Sequence, residues 1–123
     1  PISDFTILVY PVVTMGRHTH GGSRRNLLGN RPSQELVELF SNEKQVTKDT
    51  PPTYLAHAVD DRPVPPQNSR ALYKALQANK IPSEYLELTN GGHGLNGYKG
   101  PSWDAWQKNS LLWLTKQKMI PSQ

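Results

Sequence analysis

The sequence predicts an α/β fold in which three parallel strands alternate with helices, in a sheet that is incomplete in this chain. Two observations carry the class. Apolar, β-prone runs recur at "DFTILVYPVV", "PPTYLAHAV" and "SEYLELT", and a segment with a helix-spaced apolar stripe follows each of them. The first two runs are nearly continuous rather than alternating, the pattern of a strand covered on both faces, as parallel sheets require. A third observation concerns completeness. The first run would present an adhesive open edge unless another strand lay beside it, so strands upstream, or a partner that supplies them, are expected.

Element by element, the first strand is expected over residues 4–13. Residues 15–31 are rich in Gly, His and Arg without periodicity and read as a surface loop. Pro32 and Ser33 then open a helix that ends near Asn42: Ser33 can cap free amides, and Leu36, Val37 and Phe40 fall on one face. A second buried strand over 51–59 runs into the proline-stiffened loop "DDRPVPP". The next helix spans 67–79, with Ser69, Leu72, Tyr73 and Leu76 as its stripe and Asn79 as a left-handed stop. The third strand, 83–89, sets Leu86 and Leu88 on one face and Tyr85 and Glu87 on the other. After the loop "NGGHG", a last helix from about Ser102 to Lys118 aligns Trp103, Trp106, Ser110 and Trp113 and ends in lysines that suit its dipole. This order argues for right-handed crossovers and a parallel sheet.

Composition narrows the function classes. At 123 residues the chain is one domain at most. Its 14 Lys and Arg against 10 Asp and Glu give a net charge of +4, which permits acidic partners without requiring them. No basic helix is interleaved with aromatics, so nucleic acid is not expected as a partner. No apolar run approaches the roughly 20 residues that cross a bilayer, so neither is a membrane. The absence of cysteine excludes a thiol nucleophile and thiolate metal sites but leaves the compartment open. The opening "PISDF" has no methionine and enters a strand almost at once, from which processing or truncation is expected.

Chemistry is expected beyond the carboxyl ends of the strands, where open parallel sheets gather their ligands. Two loops deliver ionisable groups there. The one after the second strand carries Asp60 and Asp61, and the one after the third carries His93 among Gly91, Gly92 and Gly94. If these strands are neighbours, a carboxylate meets an imidazole at one edge. A carboxylate in that position fixes the histidine tautomer and stabilises the imidazolium formed when histidine takes a proton from a serine.

The segments "FTILVYPVVTM", "GSRRNLLG", "ELVELFSNEKQV", "PPTYLAHAVDDRPVPPQNSRALYKAL" and "GGHGLNGY" together resemble the C-terminal half of α/β-hydrolase fold esterases. They look most like the bacterial acetylxylan esterases and BD-FAE-type feruloyl esterases. The resemblance covers nearly all of the chain, residues 1–123 as one partial domain, and about half of a typical catalytic domain of that family. It implies that Asp61, with Val64 and Pro65, is the triad acid, that Asp60 is structural, and that His93 is the base. It also implies an acylated sugar or small ester as substrate, removal of acetyl or feruloyl groups from plant polysaccharide, no cofactor and no metal, and a secreted or periplasmic setting. The family's G-x-S-x-G elbow and glycine-rich oxyanion segment are absent, and "GGSRR" around Ser23 is not an elbow, so this chain alone is expected to be inactive, its nucleophile lying upstream.

Other candidates read more plainly. His57, inside the second strand, is expected to be buried and hydrogen-bonded. His18 and His20 have no clear third ligand and belong to a solvated loop that the family resemblance makes a pocket roof. Arg17, Arg24, Arg25 and Arg31 are read as solvated rather than as an acidic-sugar site, and the three tryptophans as core. Two competitors to the esterase remain. A serine peptidase of the prolyl oligopeptidase type shares the acid and histidine motifs, and a catalytically inactive chain would act as an assembly module, self-associating through its open strand edge.

Overall fold

The computed structural model describes residues 4–121. Three strands, β1 (Thr6–Val9), β2 (Thr53–Ala58) and β3 (Ser83–Leu88), form one parallel sheet in the order β1-β2-β3. Register runs from Thr6 opposite Thr53 to Val9 opposite Ala56, and from Thr53 opposite Ser83 to Ala58 opposite Leu88. β2 is therefore central and buried at every position. Neighbouring β2 and β3 is the placement that brings the two ionisable loops to the same edge.

Helices cover both faces. The two-residue period of β2 sends Leu55 toward α3 (Gln67–Ala78), where it packs with Leu72, Leu76, Val13 and Ile81. Tyr54 and Ala56 point the other way, onto Trp113 and Leu114 of α5 (Pro101–Lys116). Burial of side chains such as Leu55 and Leu76, both fully enclosed, stabilises the fold by about 1.5–3 kcal/mol each. The tryptophan stripe of α5 is indeed packing: Trp113 is buried, and Trp103 and Trp106 stack edge to face at 5.2 Å over Ala58, Leu88 and Leu95. Among the described residues no helix is long and apolar enough to cross a membrane.

Four expectations are corrected. Residues 15–31 are not all loop: α1 (Gly21–Leu28) lies within them, capped by His20, whose Nδ1 accepts from the Ser23 amide. Its sequence carries no apolar stripe, and none of its residues is buried. The first strand is shorter than 4–13 and half-buried rather than covered, because β1 lies at the sheet edge and the backbone turns at Tyr10 (φ 43). Helix α2 (Gln34–Phe40) is capped by Ser33 as expected, but only Val37 of its apolar face is buried, with Leu36 and Phe40 exposed. At the end of α3 the left-handed residue is Lys80 (φ 57), whereas Asn79 keeps a negative φ and caps Ala75 O through its side chain.

Candidate active site

The acid loop begins where β2 ends. Asp61 N–H bonds back to Ala58 O, which makes a tight turn, and Asp61 Oδ1 accepts from Val64 N at 2.9 Å, which closes the loop on its own carboxylate. The Asp61 side chain is fully buried. Pro65 and Pro66 lead into α3, and Asn68 on its first turn is completely enclosed. Asn68 Oδ1 accepts from Val13 N and Thr14 N at 3.0 Å each, while Nδ2 donates to His18 O and Pro65 O. One amide side chain thus ties the acid loop to the segment that leaves β1.

The histidine loop begins where β3 ends. Gly91 (φ 122), Gly92 (φ 59) and Gly94 (φ 86) adopt conformations that a β-carbon resists. A β-carbon on Gly91 would also lie 3.3 Å from Leu95 Cα. The loop continues through a single left-handed turn, α4 (Leu95–Tyr98), in which Leu95 is fully buried as an anchor. Left-handed backbone at residues with side chains costs about 1–2 kcal/mol per residue. Such strain is concentrated where geometry must be held.

Across these loops His93 Nδ1 and Asp61 Oδ2 are 2.9 Å apart. An ionised carboxylate only accepts, so Nδ1 carries the proton and Nε2 presents its lone pair. His93 is 41% exposed in its side chain, and Nε2 has no hydrogen-bond partner among the described residues. The pair therefore couples a buried carboxylate to a part-exposed imidazole, an arrangement that can accept a proton at Nε2. Asp60 makes a different contact: its Oδ1 accepts from Gly92 N at 2.8 Å and pins one loop to the other.

Two further residues touch this pair. Tyr10 sets its ring edge-on to His93 with centroids 4.7 Å apart, and burial together with the Tyr98 phenol raises the Tyr10 pKa. No sequence signal marked Tyr10. His57 is buried and hydrogen-bonded, as read from its strand position, but its contacts reach further than that reading. Its Nδ1 lies 2.7 Å from Ser69 Oγ, and its Nε2 lies 2.7 Å from Val64 O and 3.3 Å from Asp61 Oδ2. Burial lowers the His57 pKa, outweighing the Val64 carbonyl and the Asp61 carboxylate, which raise it.

The remaining candidates lie elsewhere. His20 caps α1, with its Nδ1 2.8 Å from Ser23 Oγ, and His18 contributes its carbonyl to Asn68. Among the described residues no group of three His, Asp or Glu side chains is arranged to hold a metal. A groove of about 530 Å³ between α1 and α2 is lined by Met15, Ser23, Leu27 and Phe40 and includes neither Asp61 nor His93.

Comparison with known proteins places the chain in a family. The family model described as Prolyl oligopeptidase family matches residues 7–118. The chain belongs to the prolyl oligopeptidase family. It is 41% identical over 103 residues to the endo-1,4-beta-xylanase B of Butyrivibrio fibrisolvens, covering 84% of this chain and 16% of that protein. It is similar to the crystal structure of an acetyl ester-xyloside bifunctional hydrolase from Caldicellulosiruptor lactoaceticus, with a TM-score of 0.89 and 34% identity over 95% of this chain and 43% of that one. A carboxylesterase from Lactobacillus plantarum shares the fold, with a TM-score of 0.79 and 22% identity over 98% of this chain and 46% of that one. The chain therefore spans less than half the length of these relatives. The three-stranded sheet is the corresponding part of an α/β-hydrolase fold.

Proposed function

We propose that this chain is the acid-and-base half of a serine carboxylic-ester hydrolase that removes acetyl or aryl acyl groups from plant polysaccharide. The observation that carries the proposal is the 2.9 Å contact between buried Asp61 and exposed His93. Support for the substrate class comes from relatives whose names denote an acetyl ester-xyloside hydrolase and a xylanase.

In this reading a serine on an N-terminal half gives its proton to His93 Nε2 as its oxygen attacks the ester carbonyl. The resulting imidazolium is stabilised by Asp61 through the Nδ1 proton. His93 then gives the proton to the sugar oxygen as the bond between that oxygen and the carbonyl carbon breaks, so the sugar alcohol departs and the acyl group stays on the serine. His93 next takes a proton from water as it attacks the acyl-serine and returns it to the serine oxygen as the carboxylic acid leaves. Asp61 orients and stabilises without taking the proton. No metal or organic cofactor enters this scheme.

The nucleophile is assigned to a strand that pairs with the outer edge of β1, since β1 has a neighbour on only one side among the described residues and its carboxyl end brings Tyr10 against His93. Self-association along β1 is the competing use of that edge. The family description also favours a second enzymatic reading, cleavage of a proline-containing peptide by the same pair. Assaying the complemented protein on acetylated xylan and on a proline-containing peptide separates the two. Acetate release in preference to peptide cleavage supports the esterase, and the reverse preference sinks it.

A further inference from the structure

We propose that His57 is a positioning residue for the acid: a neutral imidazole whose Nε2–H, shared between Val64 O and Asp61 Oδ2, holds the carboxylate in the orientation that His93 uses. The inference rests on the proposed hydrolytic role of Asp61 and His93. Its geometry begins with the tautomer. Val64 O can only accept, so the 2.7 Å contact requires the proton of His57 to be on Nε2. Nδ1 is then an acceptor, and the Ser69 hydroxyl at 2.7 Å donates to it. Both ring nitrogens are thereby assigned.

With the proton on Nε2, the 3.3 Å approach to Asp61 Oδ2 is a second, weaker arm of the same donor. Asp61 then has two hydrogen-bond donors, Val64 N on Oδ1 and His93 on Oδ2, and the His57 Nε2–H as a further polar contact 3.3 Å from Oδ2. The supports differ in rigidity. Asp61 and His93 lie on loops, whereas His57 belongs to the fully buried central strand and Ser69 to α3. The donor from His57 therefore references the loop carboxylate to the packed interior.

Neutrality is part of the device. A second imidazolium on the same oxygen would compete with the one that forms on His93. The burial that lowers the His57 pKa keeps the carboxylate charge available to His93. A histidine that merely filled the core would need partners for its two nitrogens, which Ser69 and Val64 already supply. The additional approach to the oxygen that His93 uses is what a packing role leaves unexplained.

Nitrogen-15 NMR of the imidazoles in the 123-residue chain tests this with two substitutions. His57→Gln keeps an N–H donor near the Nε2 position, and His57→Leu removes it at similar volume. Wild type and H57Q are expected to show His93 as the Nδ1–H tautomer with a resolved Nδ1 proton, while H57L gains the Nε2–H tautomer and loses that resonance to exchange. A folded H57L whose His93 spectrum matches wild type overturns the proposal. Should H57L fail to fold, Asp61→Asn decides: the His57 Nε2 proton resonance must move in D61N, and an unmoved one overturns the proposal equally.

In the protein complemented with its serine-bearing half, H57L is expected to lower kcat about tenfold or more with KM unchanged, and H57Q to recover most of it. Absence of turnover in the complemented wild type would contradict the hydrolase reading, whereas the NMR outcomes would still decide whether His57 positions Asp61.

Discussion

The Gly92 amide donates to Asp60 Oδ1 at 2.8 Å, so the loop that carries His93 is fastened to the loop that carries Asp61 by a bond independent of the two candidate catalytic side chains. Asp60→Ala removes that fastening and leaves Asp61 unchanged. Because Asp60 is exposed, the stability loss should be small, about 0.5–1.5 kcal/mol by urea denaturation. Ester turnover in the complemented protein should fall more steeply than stability, by about tenfold.

His93 and Asp61 should both matter to activity but differ in their effect on stability. His93→Ala deletes a side chain that is 41% exposed, so the unfolding midpoint should hardly move while ester turnover falls by about 10³-fold or more. Asp61→Ala leaves the buried donor of Val64 unpaired and should cost about 1–3 kcal/mol in addition to turnover. Urea titration and aryl-ester hydrolysis on the same preparations check both.

Asn68 should matter to the fold more than any polar residue away from the site. Asn68→Ala strands the amides of Val13 and Thr14 without acceptors in the interior. A loss of about 2–4 kcal/mol is expected in chemical denaturation. Hydrogen exchange should show both amides opening first.

Stability should depend on pH through His57. Its folded pKa is depressed below the ordinary 6.5 by burial, so the unfolded chain takes up a proton before the native chain does. Stability is therefore complete above that value and falls as pH drops through it, with the loss continuing toward the lower native pKa. Between about pH 7 and pH 5 the denaturation midpoint of wild type should fall more steeply than that of H57Q, which has no imidazole there. Glu87 acts in a separate window. Arg70, and then Tyr85, hold its carboxyl below 4.5, so its contribution is lost only in more acidic solution.

Gly91→Ala tests the histidine loop. With φ 122 and Leu95 Cα 3.3 Å from the added carbon, the loop must shift, and His93 with it. The His93 Nδ1 proton resonance should move even where the overall fold persists.

The alternation of strands and helices, the three strands of the core and the Asp61–His93 pair were legible because each follows from local periodicity or from a loop that immediately follows a strand. Once β2 and β3 are neighbours, residues at the ends of both must meet. What escaped depends on contacts between segments. Helix α1 buries nothing and is capped by His20, outside the usual Ser, Thr, Asp and Asn signals. The bend at Tyr10 sits in a run that reads as uninterrupted strand, and its purpose is evident only beside His93. The strand position of His57 foretold burial, but its approach to Asp61 depends on the tight turn at Val59 and Asp60, which folds the chain back on itself.

The central claim, that Asp61 and His93 form the working acid and base of an esterase that receives its serine from another segment, is tested most directly by supplying that segment. The N-terminal half of the Caldicellulosiruptor lactoaceticus hydrolase would be fused ahead of this chain, and acetate release from p-nitrophenyl acetate would be followed alongside mass-detected labelling by a fluorophosphonate. The account predicts turnover and a stoichiometric serine adduct in the fusion, with both lost on His93→Ala and neither present in the chain alone. A well-folded fusion without turnover, or labelling that survives H93A, would contradict it.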